Sequence, residues 1–333
     1  MQIDAESFNP ETEAKPGKRS FFLKLGGLGS GEQVGFPVLW VDGARPGQTL
    51  VVLAGVHGDE LEGVQAIHEV FRELDSNQMS GRVIAVPVAN LPAYKAVMRN
   101  SPVDSLNLAR TFPGRKDGTL TERIAYYLTN LIISQADFFI DLHSSGIASL
   151  MPTMVGYDAN DTAAGKASRE AAFQFGTPVV WGHHEISPGR SLCAAIQRGI
   201  PWLYVESPSG GCVSPVELPY YVNGLLNLLG HLKIIPRVNE PRAPSLHLIG
   251  SGDVDRTQAV NTAGFFVPMV KLLDRIERGQ VIGVVRDLFG ETIEELRSEQ
   301  TGYVAMIGSM PLVHPGVSVC LVVDGRTWSE NAS

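Results

Sequence analysis

Two histidines and a glutamate, each set where an apolar run stops, are the residues of this 333-residue chain best placed to hold a metal ion. The run Val51-Val52-Leu53-Ala54-Gly55-Val56 ends in His57-Gly58-Asp59-Glu60, and Ala136-Asp137-Phe138-Phe139-Ile140-Asp141-Leu142 ends in His143, followed by the turn-prone Ser144-Ser145-Gly146. An imidazole and a carboxylate three residues apart around a tight turn or first helical turn face the same side. Two histidines and one glutamate make a set that suits catalytic zinc and leaves a fourth position for water. A lone His-x-x-Glu is common by chance, and the second histidine at a strand end is what lifts this one above that background. Asp141 lies two residues before His143, on the same side of a strand, where it can orient a ligand from behind. Ligand types alone do not exclude manganese or cobalt.

The elements that must carry these residues are legible in the apolar pattern. The first run is rich in β-branched residues and does not alternate, which suits a parallel strand covered on both faces. From Leu61 onward the apolar positions Val64, Ile67, Val70, Phe71 and Leu74 recur at helical spacing, so a helix follows at once. His57 and Glu60 therefore fall where a strand's carboxyl end meets a helix start, the usual ligand crevice of open α/β sheets. Further strands are expected at 21–25, 36–41, 82–88, 138–142, 150–155, 178–181 and 202–205, with helices at 121–133, 163–175 and 215–234. The alternation predicts an α/β fold with a doubly wound mixed sheet. Residues 1–19 read as a loose N-terminal extension, 20–240 as the α/β domain, and 241–333 as a C-terminal β domain of short strands beyond the proline-rich stretch Pro236 to Pro244. Gly27-Leu28-Gly29-Ser30-Gly31 lacks the spacing of a dinucleotide loop and reads as a turn.

His57-Gly58-Asp59-Glu60 with Asp141-Leu142-His143 resembles the zinc triad of the succinylglutamate desuccinylase and aspartoacylase family, relatives of the zinc carboxypeptidases. The likeness runs from about Phe36 to Val323. Asn107-Leu108-Ala109-Arg110-Thr111-Phe112-Pro113-Gly114 is similar to the family's Asn-Arg-x-Phe-Pro-Gly element, with Ala109 where the family usually has asparagine and Asn107 as a substitute for it. The resemblance implies Zn(2+), one per chain, on His57, Glu60 and His143. It implies that Arg99 polarises the scissile carbonyl, and that Arg110, Asn107 and Arg190 (with Ser191) bind a substrate carboxylate. Glu206 closes the apolar strand Trp202-Leu203-Tyr204-Val205, where a charge needs a reason to be; it reads either as a polar strand end or, through the resemblance, as the general base. The fold implied is of the zinc carboxypeptidase type, with a C-terminal part like the barrel-sandwich domains of biotinyl and lipoyl carriers. The hairpin tip Arg286-Asp287-Leu288-Phe289-Gly290 has no lysine to carry such a cofactor.

The expected function is a zinc-dependent amidohydrolase that cleaves the acyl group from an N-acyl amino acid or related small amide by attack of zinc-bound water. A carboxypeptidase-like peptidase and a non-catalytic metal- or ligand-binding protein are the alternatives. A net charge of −8 argues against nucleic acid as a partner, yet Arg99, Arg110, Arg115 and Arg190 can make a local cleft for a carboxylate-bearing substrate. No Gly-x-Ser-x-Gly elbow is present. Cys193, Cys212 and Cys320 are odd in number and widely spaced, so no disulfide framework is implied. No stretch reaches the roughly 18 apolar residues of a membrane span or resembles a signal peptide, so a cytoplasmic protein is expected, compatible with a homo-oligomer. His183-His184 is placed to line the cleft without binding zinc, while His68 and His231 read as packing or surface residues.

Overall fold

A computed structural model describes residues 1–11, 16–27, 33–236, 241–252 and 257–327. Most of the glycine-rich turn at 27–31 and the centre of the proline-rich stretch lie outside the described residues. In chain order the first elements are β1 (Gln2–Asp4), β2 (Gly17–Gly27), β3 (Gln33–Asp42), β4 (Arg45–Ala54), α1 (Glu62–Glu73), β5 (Ser80–Val86), α2 (Leu91–Ala96), α3 (Leu120–Tyr127), β6 (Phe138–Leu142), β7 (Ser149–Leu150), β8 (Met154–Asp158), α4 (Ala163–Phe175), β9 (Val179–His183), α5 (Ser191–Ile196), β10 (Trp202–Glu206) and α6 (Leu218–His231). They build a mixed sheet ordered β1-β2-β3-β5-β4-β6-β10-β8-β9.

The sheet is covered on both faces, as the unalternating runs require. Val51, Leu53, Phe139 and Trp202 pack toward α3 and α5. Leu50, Val52, Ile140, Leu203 and Val205 point the other way into a core shared with α1, α4 and α6. Removing a fully buried Leu or Val of this kind from water contributes roughly 1.5–3 kcal/mol, so the register of β4, β6 and β10 is held firmly. Slipping any of them by one residue would turn its whole apolar set to the wrong face.

Local differences from the sequence expectation have identifiable causes. The strand expected at 150–155 is split into β7 and β8, because Pro152 lies between them and cannot donate to a ladder. The helix expected at 121–133 is α-helical only to Tyr127, then widens into a π turn (Leu128–Ile132) and tightens into a 3-10 turn (Ile133–Gln135). The N-terminal segment corrects the expectation of a loose extension. Gln2, Ile3 and Asp4 pair in parallel with Phe22, Leu23 and Lys24, Phe8 packs on Phe21 and Trp40, and Glu6 engages Lys116 at 2.7 Å and the Tyr127 hydroxyl. Ala5 and Phe8 are buried and Ile3 packs against the same core, anchoring a segment whose composition is otherwise largely polar.

From residue 246 onward every described element is a strand: β11 (Leu246–Ile249), β12 (Gln258–Ala259), β13 (Gly264–Pro268), β14 (Arg275–Ile276), β15 (Val281–Arg286), β16 (Thr292–Arg297), β17 (Gly302–Gly308), β18 (Leu312–Val313) and β19 (Ser318–Thr327). These strands have a core of their own, centred on Phe266, Ile282, Val285 and Val304. The large sheet nevertheless continues into them, because β11 pairs in parallel with β9 and antiparallel with β19. A second cluster containing Met151, Trp181, Leu248 and Met306 seals the joint.

Candidate active site

Strands β4, β6 and β10 are neighbours and parallel, so their carboxyl ends share one edge of the sheet. His57 to Glu60, His143 and Glu206 all follow or close those ends. Alternation puts Phe139, Asp141 and His143 on one face of β6 and Trp202, Tyr204 and Glu206 on the same face of β10. Tyr204 lies opposite Asp141 and Val205 opposite Leu142, and the His143 amide donates to the Val205 carbonyl at 2.9 Å. His143 and Glu206 are thereby brought side by side.

The three expected ligands converge. His57 Nδ1 lies 2.7 Å from Glu60 Oε1, and His143 Nδ1 lies 2.8 Å from Glu60 Oε2. One ligand atom from each residue falls within 4.8 Å of the others. Behind them, each ring's other nitrogen has an acceptor. His57 Nε2 donates to Asn107 Oδ1 at 3.0 Å, and His143 Nε2 faces Asp141 Oδ2 at 3.1 Å. Asn107 Oδ1 also accepts from the Ala109 amide at 2.9 Å, which fixes the orientation of the side-chain amide. Asp141 Oδ2 accepts from the Ser191 hydroxyl as well. With a proton held on each Nε2, both Nδ1 atoms and the Glu60 carboxylate face one another, which is the donor arrangement a divalent ion would take.

Arg99 places its guanidinium at that point, with Nη1 3.1 Å from Glu60 Oε1 and 3.3 Å from His57 Nδ1. The donor set, its burial (Glu60 is 3% exposed and His57 2%) and its supporting partners fit a divalent ion of the zinc class. Burial pushes Glu60 up, but the facing histidines prevail and hold it well below the usual carboxylate range. Burial opposes protonation of His143, yet Asp141 and Glu60 raise it well above an ordinary histidine. Burial, with the Arg99 charge adding to it, lowers His57.

Glu206 is the second carboxylate of the site. Burial, aided by the charge on Glu60 and opposed by His143 and Arg99, pushes it up to about 8. Its Oε2 is buried and has no hydrogen-bond partner among the described residues. It lines a cleft together with Arg99, Arg110, Arg190, Tyr204 and His183, a concave setting with a few convergent polar groups of the kind that takes small molecules. Three of the expected arginines thus reach the cleft. Arg115 does not; it is exposed, 3.8 Å from Asp117 and 3.9 Å from Glu122. Asn107 turns its oxygen to His57 and is not among the residues lining the cleft, whereas Ala109 is.

Tyr204 is the site residue that sequence reasoning missed, although its position two before Glu206 puts it on the same strand face. Its ring crosses β8 at Gly156, where a Cβ would lie 1.8 Å from Tyr204 Cε1. Its hydroxyl donates to His183 Nε2 at 2.8 Å, and His183 Nδ1 donates to the Gly250 carbonyl at 2.9 Å. His183 lines the cleft as expected, as a neutral ring that burial lowers to about 4. The strands beyond residue 246 close the cleft on the same side. Ser251 and Gly252 line it, β7 pairs with β17 just before the lining residue Met151, and Ser309 donates to the Ile147 carbonyl at 2.6 Å.

Residues 46–232 match the model of the succinylglutamate desuccinylase/aspartoacylase catalytic domain. Over 283 residues the chain is 31% identical to the N-alpha-acetyl-L-2,4-diaminobutyric acid deacetylase of Halomonas elongata, an alignment covering 84% of this chain and 82% of that protein. Among solved structures, a succinylglutamate desuccinylase from Silicibacter sp. TM1040 matches with a TM-score of 0.86 at 26% identity, covering 94% of this chain and 96% of the other. The product-bound ectoine utilization protein EutE (DoeB) from Ruegeria pomeroyi gives 0.86 at 29%, covering 93% and 96%. The mixed sheet, the triad and these matches agree: the chain belongs to the succinylglutamate desuccinylase/aspartoacylase family.

Proposed function

We propose that this protein is a zinc-dependent amidohydrolase that removes the acyl group from a small N-acyl amino acid bearing a free carboxylate. The observation that carries the reading is the convergence of His57, Glu60 and His143 beside the unpartnered carboxylate of Glu206, at the base of a cleft lined by three arginines. It is supported by membership of a deacylase family and by a relative that deacetylates N-acetyl-diaminobutyrate. In this reading residues 20–240 carry a hydrolase core of the zinc carboxypeptidase type and 241–333 a small barrel-sandwich-like unit. The way Ser251, Gly252 and the β7–β17 pair enclose the cleft favours a small amide over a peptide chain. No helix among the described residues is long and apolar enough to cross a membrane.

His57, Glu60 and His143 would hold the zinc, which when bound supplies a Lewis acid for the scissile carbonyl and lowers the pKa of water. Asn107 and Asp141 keep both rings in the tautomer whose Nδ1 is free to ligate. Arg99 turns its guanidinium to the carbonyl oxygen and stabilises the negative charge that develops there. Arg110 and Arg190 anchor the substrate carboxylate, with the donor geometry that suits it. Glu206 removes a proton from the attacking water and returns it to the leaving nitrogen; burial, which disfavours its charged form, brings its proton affinity toward neutral pH.

Elemental analysis of the purified protein and of His57→Ala, with hydrolysis of a panel of N-acyl amino acids, tests the reading. About one zinc per chain, lost in His57→Ala, is expected. Glu206→Gln should keep the metal and lose at least about a hundredfold in kcat. Absence of bound metal together with no rescue by added zinc would overturn it.

A further inference from the structure

Nothing among the described residues grips the free oxygen of Glu206, so the place of its carboxylate is set by the backbone on either side. On the amino side the Val205 carbonyl accepts from the His143 amide at 2.9 Å. On the carboxyl side the Ser207 carbonyl accepts from the Ser145 amide at 3.0 Å and from the Ser145 hydroxyl at 2.8 Å. The Ser207 side chain then enters a second, largely buried string. The Tyr221 hydroxyl, delivered from α6, bridges the His143 carbonyl at 2.5 Å and Ser207 Oγ at 2.9 Å. Ser207 Oγ lies 3.2 Å from Ser209 Oγ, and Ser209 donates to Glu62 Oε1, which also accepts from the Ser214 amide at 3.1 Å. Glu62 and Ser207 are both 0% exposed, as is Tyr221.

The string touches both halves of the chemistry without entering the cleft. One end holds the carbonyl of a ligand residue, the middle holds the residue after the base, and the other end is a carboxyl group two positions after the ligand Glu60. A carboxylate acceptor makes the stronger kind of hydrogen bond, here with the Ser209 hydroxyl and the Ser214 amide. Burying Glu62 and a tyrosine hydroxyl here costs more than an apolar packing would. We propose that Tyr221, Ser207, Ser209 and Glu62 are positioning residues that set the Glu206 carboxylate against His143. The inference rests on Glu206 acting as the general base of the proposed deacylation.

Tyr221→Phe is the decisive variant, since it keeps the buried ring and removes only the bridging oxygen. With Ser207→Ala and the double variant beside it, kcat, KM, zinc content and thermal midpoint are measured on the full chain. A displacement near 1 Å at a reacting group costs on the order of a hundredfold. A 10- to 100-fold fall in kcat is expected in Tyr221→Phe, with KM within about twofold, zinc retained, and a double variant no slower than the worse single one. Unchanged kcat with a lowered midpoint would reduce the string to a structural role and overturn the proposal. A crystal structure of Tyr221→Phe reads the position directly. If Glu206 keeps its place relative to His143 the proposal fails; if it shifts while the wild type hydrolyses no N-acyl amino acid, positioning stands and the deacylase reading fails.

Discussion

Replacing Asn107 by alanine removes the acceptor that holds the His57 proton on Nε2 at 3.0 Å. His57 is 2% exposed, so no water takes over that role freely. A buried donor left without an acceptor costs about 1–3 kcal/mol, and the ring escapes that cost by moving its proton to Nδ1, the atom that must ligate. Since about 1.4 kcal/mol is a factor of ten in a binding constant, zinc should bind roughly 10- to 100-fold more weakly, in line with the usual effect of losing a group behind a ligand. Asn107→Asp keeps an acceptor and adds a charge. It should bind zinc at least as tightly as the wild type, because an anionic acceptor raises the basicity of the ligand it supports. Competition with a chromophoric chelator measures both constants without any substrate. Zinc affinity within twofold of the wild type in Asn107→Ala, with KM raised instead, would refute the argument and return Asn107 to the substrate side, where the sequence pattern put it.

Arginine substitutions should separate the cleft from the surface. Arg115→Ala is expected to leave kcat/KM unchanged, because its exposed ion pairs contribute about 0–1 kcal/mol, whereas Arg190→Ala and Arg110→Ala should raise KM; steady-state kinetics on one N-acyl substrate compares the three. Gly156→Ala should destabilise the protein by about 1–3 kcal/mol or more and displace Tyr204, since its Cβ would fall 1.8 Å from the ring; an unchanged thermal midpoint would show that the ring has room to move. Acid should weaken the fold through His183, which burial lowers to about 4 from a usual 6.5. The folded pKa is depressed, so the unfolded chain takes up the proton first; the contribution is full above about 6.5, is lost as pH falls toward 4, and is worth about 3 kcal/mol at most. Urea midpoints across that window, compared with His183→Asn, should show a shallower acid loss in the variant.

What the sequence made legible is the part of the site fixed by short-range rules. An apolar run ending in histidine gives both strand and ligand, and the parallel neighbours β4, β6 and β10 follow from unalternating runs separated by helices. Asp141 behind His143 follows from the two-residue period of a strand. Residues whose role depends on pairing between distant segments were not legible. Asn107 reads as a substrate contact in its local motif and becomes a support for His57 only once the segment carrying it meets the end of β4 across 50 positions. The N-terminal segment reads as polar, and only its pairing with β2 shows Ala5 and Phe8 as anchors.

The same distinction explains how this fold separates holding from reacting. Groups that contact the cleft come from the ends of β4, β6 and β10 and from loops, where side chains vary without disturbing the core. Of the groups that aim them, Asn107 behind His57 and Tyr221 on the His143 carbonyl lie outside the cleft lining, while Asp141 and Ser191 support His143 from the cleft wall itself. A change such as Ala109 for the family's asparagine alters the wall of the cleft and leaves those bonds untouched, so the chemistry can be kept while the substrate changes. It follows that Ala109→Asn should alter the ranking of N-acyl substrates by kcat/KM while zinc affinity stays constant. A parallel loss of zinc would mean that wall and support are not separate.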